Sequence, residues 1–129
     1  VIRTSPNDPL PERLLALADE LTSLVAELRP SALSVERVLF QNNARTAISV
    51  GQASGLALVA AARAGVPVTQ YSPNEVKLAV TGDGAANKVA VQTMVTRLLA
   101  LREVPSPPDA ADALALACCH HGRIRMLDR

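Results

Sequence analysis

Asp109 and Asp112 stand three residues apart in PDAADALALA (108–117), at the head of an otherwise apolar helical stretch. Residues at i and i+3 share a helical face, so two carboxylates at this spacing can converge on one cation. Acidic side chains also favour the first turn of a helix, where unpaired N–H groups and the macrodipole attract negative charge. The pair alone leaves both readings open. A third carboxylate, Glu36, interrupts the apolar run SALSVERVLF (31–40). An ionised group there is costly unless it is paired, hydrogen-bonded or metal-bound, or sits at a strand end or edge. Three carboxylates cannot stay ionised together cheaply, so a fold that gathers them implies a divalent ion. Hard oxygen ligands select magnesium or manganese over zinc. Such sites usually serve phosphoryl transfer, in which two ions activate a water and stabilise the leaving oxygen.

Other groups with chemical potential are few. Lys77 and Lys88 are the only lysines, and they flank TGDGAANK (81–88). Backbone N–H groups at a Gly-rich turn leading into a helix can hold a phosphate, so Gly82 and Gly84 become candidates beside the lysines. A lone GDG turn is weak evidence of this, and an ordinary loop explains it better. CCHH (118–121) suggests zinc, but four consecutive helical residues fan around the axis and cannot close a tetrahedron. Buried thiols and a helix end are expected there instead, and adjacent Cys118 and Cys119 give no disulfide framework.

These residues need elements to carry them. Leu10, Leu14, Leu17, Leu21, Leu24 and Leu28 alternate steps of four and three, which predicts an amphipathic helix from Pro9 to Arg29, stopped by Pro30. Leu33, Val35, Val38 and Leu39 predict a buried strand within 31–40. An Ala-rich helix follows over 44–64, with Gly51 and Gly55 four apart on one face; each costs roughly 1 kcal/mol of helix propensity, so close packing is expected to compensate. Gly65 supplies a C-cap, and VPVTQY (66–71) alternates like a strand. In SPNE (72–75), Ser72 caps, Pro73 takes N1 and Glu75 completes a capping box. The next helix is expected from about Ala86 to Leu101. In SPPD (106–109), Ser106 is expected to cap and Asp109 to fall at N3.

Strands joined through a long helix favour a parallel pair in an α/β fold. Two strands, plus a possible strand end at Val1–Arg3, are few for such a sheet. The expected domain is 1–122, with 123–129 a frayed tail. At 129 residues and 49% hydrophobic content the chain is long and apolar enough for one core. With 13 basic and 12 acidic residues, the composition announces no nucleic-acid binder; any basic surface must arise by local segregation. No apolar run is expected to span a bilayer and no signal peptide is read, so a cytoplasmic protein without membrane partners is expected.

The stretches SVERV (34–38), GQASGLALVAA (51–61), PNEVKLAVTGDGAANK (73–88) and DAADALALA (109–117), in this order and spacing, resemble the RuvC-type Holliday-junction resolvases. The resemblance runs from about Val1 to His121. It implies a ribonuclease-H-like mixed sheet flanked by helices, and a homodimeric endodeoxyribonuclease that nicks four-way junctions symmetrically in recombination and repair. Glu36, Asp109 and Asp112 match metal-binding catalytic carboxylates. Lys77 and Lys88 match lysines of DNA binding and cleavage. The 44–64 helix matches the dimer interface, and the turn at Gly82–Ala85 then lies near a phosphate. Phe40 resembles an aromatic region that engages bases, although many members carry the aromatic where this chain has Leu39. A branch-migration helicase is the partner implied.

Family members begin with a strand resembling ILGIDPG, whose Asp is a fourth carboxylate, and then a second strand. This sequence starts with VIRTS, resembling the end of a third strand. The first two strands are therefore expected to be missing from it, and a junction-binding module without cleavage is the alternative function. A related nuclease acting on RNA or damaged DNA fits the DAADALA and PNEVK stretches less well.

Overall fold

In a computed structural model, residues 1–38 and 44–128 are described. Helix α1 covers Leu10–Leu28, with Pro9 before it. It ends at Leu28; the C-cap Arg29, just ahead of Pro30, turns left-handed (φ 44°) and donates its N–H to the Val25 carbonyl at 3.0 Å. Strand β1 (Leu33–Glu36) follows. It is shorter than the apolar run that predicts it: Val38 lies beyond its end and is only half-buried. Glu36 is its last residue and is exposed, which is the strand-end placement that spares a carboxylate the cost of burial.

Helix α2 spans Ala44–Ala64 as the periodicity predicts, and packs along α1. It is also long and apolar enough, by length and composition, to cross a membrane, which corrects the expectation of no such run. Ser49, Gly51, Gln52, Ser54 and Gly55 break the string of apolar letters, yet the mean hydropathy stays at 1.3. Ala47, Ala60 and Ala61 are the helix's buried residues, while Ile48, Val50 and Val59 are exposed.

Strand β2 (Val68–Tyr71) pairs with β1 in a two-stranded parallel sheet. The Leu33 N–H donates to the Pro67 carbonyl at 2.9 Å at one end of the pair. Among the described residues, Val1–Arg3 forms no strand: it finds no neighbour whose backbone completes a ladder.

Helix α3 (Pro73–Thr81) carries the predicted capping box in full. The Glu75 N–H donates to Ser72 Oγ at 3.2 Å, and the Ser72 N–H donates to Glu75 Oε2 at 2.7 Å. Helix α4 (Lys88–Leu98) is shorter at both ends than expected. Asn87 is its N-cap, its Oδ1 accepting the Ala90 N–H at 2.8 Å. Ala100, with φ 51°, lies outside it.

Helix α5 covers Pro108–Leu127. Pro107 occupies the N-cap position and Pro108 is N1, so Ser106 does not cap and Asp109 sits at N2 rather than N3. The second proline, with its fixed φ and missing N–H, suits the first helical position. At the other end the helix continues to Leu127, where fraying from 123 was expected. Residues 121–128 are exposed, so intrinsic propensity in RIRML, all fair to good helix formers, sustains these turns without burial.

By its contacts the chain divides into two units, Val1–Gln70 and Tyr71–Arg129. In the first, α1 lies against α2. In the second, α3, α4 and α5 pack on one another around Tyr71, Val76, Val80, Ala86, Val91, Val95, Ala115 and Cys119. Tyr71 is 1% exposed and Val95 0%. Small side chains on α5, Ala111, Ala115 and Cys119 at steps of four, form its buried stripe, which lets α3 and α4 approach closely.

Candidate active site

Helix α5 presents its two aspartates at the end where a helix favours them. Asp109 lies in the first turn and is exposed, with Asp112 one turn further and half-buried. Unpaired N–H groups at this terminus stabilise nearby negative charge by about 0.3–1 kcal/mol. Lys88 opens α4 and directs its Nζ to Asp112 Oδ2 at 3.2 Å, the side chains being 56% and 48% exposed. A cation at a helix N-terminus opposes the dipole, and the Asp112 carboxylate offsets that. The structure thus joins two of the predicted site residues from separate helices.

Lys77 lies on α3, half-buried, and its backbone carbonyl accepts the Thr81 hydroxyl at 2.7 Å. Gly82 ends α3 with φ 79° and donates its N–H to the Leu78 carbonyl. Here glycine's tolerance of positive φ is required. The turn then closes on itself. The Asp83 N–H donates to Thr81 Oγ1 at 3.1 Å, the Ala85 N–H to Asp83 Oδ1 at 2.8 Å, and the Ala86 N–H to the Asp83 carbonyl at 3.1 Å. In the turn expected to lie near a phosphate, the Gly82, Asp83 and Ala85 N–H groups are thus bonded within the chain, that of Ala85 to the Asp83 carboxylate. Gly84 is not forced by space, because an added Cβ would meet only ordinary contacts at 3.7 and 4.0 Å.

Glu36 belongs to the first unit, at the end of β1. Phe40 and Leu39 lie outside the described residues. Among the described residues, no three His, Cys, Asp or Glu side chains are grouped to hold a metal ion. Cys118, Cys119, His120 and His121 sit in mid-helix rather than at the helix end expected. Burial pushes both thiols above the usual range; for Cys119 the neighbouring Glu75 adds to this and Arg123 opposes it.

A second cluster went unread in the sequence. The Tyr71 hydroxyl is 2.7 Å from His120 Nδ1, the two rings meet edge to face, and the Arg123 guanidinium lies 5.8 Å from the tyrosine ring centroid. Its members are 49 positions apart, beyond the reach of any local pattern.

The helix-rich chain with its small parallel sheet has the ribonuclease-H-like fold. Residues 1–120 match the family model described as crossover junction endodeoxyribonuclease RuvC, and the chain belongs to that family. A relative of the same name from Salinispora arenicola is 60% identical over 120 residues, covering 93% of this chain and 69% of the relative. One from Desulfitobacterium hafniense is 49% identical over 127 residues, covering 98% and 77%. Thermus thermophilus RuvC is similar in structure, with 42% identity and a TM-score of 0.88 over 97% of this chain and 75% of that one. The same protein in complex with a Holliday junction substrate gives a TM-score of 0.90, with 97% and 76% covered.

Proposed function

We propose that the protein is a divalent-metal-dependent endodeoxyribonuclease that resolves four-way DNA junctions by paired, symmetric nicks during recombination and repair. The observation that carries this reading is the likeness, at 42% identity and a TM-score of 0.90, to an RuvC structure holding a Holliday junction. Asp109, Asp112 and Glu36 would hold magnesium, or manganese, as two ions per site. The donor set fits: the carboxylates are hard oxygen ligands, and Asp112 already attracts a cationic group, the Lys88 ammonium. Bound there, the ions supply Lewis acidity and ease deprotonation of water.

The chain's own residues do the rest. Lys77 and Lys88 neutralise phosphates, and a half-exposed ion pair leaves Lys88 able to exchange Asp112 for a DNA phosphate at small cost. Gly82 and Gly84 serve the same contact indirectly, by shaping the turn between the two lysines, and Phe40 stacks on a junction base. A homodimer through α2 suits a substrate with approximate two-fold symmetry. Support comes from Ile48, Val50 and Val59, exposed on that helix, and from the open space around Gly51 and Gly55. The enzyme acts in the cytoplasm, beside a branch-migration helicase.

A second reading, junction binding without cleavage, draws on the Lys88–Asp112 pair, which engages a carboxylate that cleavage requires. The two separate in one assay. A labelled four-way junction and a matching linear duplex are incubated with magnesium and the chain, alone and joined behind the N-terminal segment of the Salinispora relative. Paired nicks in the junction only, in either form, support resolution. Junction binding with no nicks in both forms selects the second reading, and equal treatment of junction and duplex overturns both.

A further inference from the structure

The Tyr71–His120 contact lies outside the proposed cutting residues, yet it touches the helix that carries two of them. Tyr71 is the last residue of β2 and immediately precedes Ser72, the N-cap of α3. It is almost wholly buried, and its hydroxyl meets His120 Nδ1 at 2.7 Å. The ring centroids are 5.9 Å apart at 65°. One residue earlier on α5, Cys119 Sγ approaches the Glu75 carbonyl of α3 at 4.0 Å. The end of β2 and the first turn of α3 thus grip one point on α5.

The grip is poor value as a source of stability. His120 Nε2 is buried and has no hydrogen-bond partner among the described residues. Whichever tautomer is present, two ring nitrogens are desolvated for one protein hydrogen bond. A buried polar group left unpaired loses much of what its partner gains, and replacing both members by apolar groups of similar shape is often neutral. What the pair does supply is direction. Apolar packing lets a helix of small residues slide and turn, whereas a hydrogen bond between a buried phenol and a half-buried imidazole fixes both distance and angle. His120 and Asp112 are eight positions apart on α5, about 80° around the helix and about 12 Å along its axis.

We infer that Tyr71 and His120 are positioning residues: their hydrogen bond sets the register of α5 against the start of α3, and so places Asp109 and Asp112 relative to Lys77 and Lys88. This rests on the proposed nuclease reading for its consequence, though not for the contact itself. Small misplacement of a reacting group costs rate more than affinity, on the order of 10²-fold per ångström. Junction binding through phosphates tolerates such a shift.

Four variants of the whole protein test the inference. Tyr71→Phe keeps the ring and removes the hydroxyl. His120→Asn keeps a hydrogen-bonding group near the place of Nδ1, and His120→Gln moves it toward the place of Nε2. Tyr71→Phe/His120→Leu removes both polar partners. Expected for Tyr71→Phe, His120→Gln and the double variant is a fall in kcat of about ten- to a hundredfold with KM for the junction unchanged; His120→Asn recovers most of the rate. The double variant melts no lower than the wild type. Hydrogen exchange at the Asp112 and Ala113 amides, independent of turnover, speeds up in the three impaired variants only. Equal kcat in all four overturns the inference, as does loss of rate that merely follows loss of melting temperature. If Tyr71→Phe fails to fold, the contrast between His120→Asn and His120→Gln still decides. Failure of the wild type to nick junctions would count against the nuclease reading; unchanged exchange in every variant would count against the clamp.

Discussion

Replacing Lys88 with Gln separates two duties of one ammonium. Its Nζ lies 3.2 Å from Asp112 Oδ2, and about half of each side chain is exposed. An ion pair this open to water and salt is worth about 0–1 kcal/mol. Lys88 is also the first residue of α4, where a positive charge faces the positive end of the helix dipole at a cost of about 0.3–1 kcal/mol. The two contributions nearly cancel. Urea unfolding of Lys88→Gln should therefore differ from wild type by less than ~1 kcal/mol in either direction. Against DNA the same change is larger. Losing one phosphate contact lowers the slope of log affinity against log salt by about 0.9. Losing a fixed charge beside the reacting phosphate slows nicking by about 10²-fold. Anisotropy of a labelled junction across a salt series, with single-turnover nicking on the same samples, measures both. A stability loss above about 2 kcal/mol would show a structural bridge of the buried kind. An unchanged salt slope together with an unchanged nicking rate would remove Lys88 from the DNA and refute the reasoning.

Other residues give sharper local tests. Ser72→Ala removes one half of the α3 capping box and should lower stability by about 1 kcal/mol, seen as a lower urea midpoint at constant slope; no change would mean the cap contributes nothing. Burial first, and then the neighbouring Cys119, raises the Tyr71 hydroxyl above its ordinary 10.0, with Arg123 opposing. The folded protein therefore holds this proton more tightly than the unfolded chain. The stability so gained is complete below about pH 10 and is lost as pH climbs through the folded value. Tyr71 is the only tyrosine, so alkaline ultraviolet absorbance follows it alone. Ionisation at the ordinary value, uncoupled from unfolding, would contradict its burial.

Helices α1, α2 and α3 were legible because each carries a signal that local physics enforces: a leucine stripe broken by Pro30, an Ala-rich run ended by Gly65, and the SPNE capping box. Where two signals competed, the boundary moved. Pro107 and Pro108 both suit a helix start, and the structure takes the later one as N1, which shifts Asp109 by one position. The turn after Gly82 read as a phosphate cradle because glycine spacing is visible in the sequence. That the Asp83 side chain folds back to take the Ala85 N–H depends on side-chain torsions, which are not. Asn87 before α4 was a cap signal that could have been found. The candidate site was legible only where its residues are close in sequence. Asp109 and Asp112 announce themselves by spacing, whereas Lys88 reaches Asp112 across 24 positions and Tyr71 reaches His120 across 49. Such pairs are set by how α3, α4 and α5 pack, information spread over many small side chains rather than held in a motif.

The most direct test of the account is Asp112→Asn, compared with wild type for junction affinity and for magnesium-dependent nicking. The substitution keeps the side chain's size and removes its charge. The account predicts junction affinity within a few-fold of wild type and nicking reduced to background. Nicking at the wild-type rate would contradict the claim that this carboxylate cuts DNA, and would return PDAADALALA to the plainer role of a well-started helix.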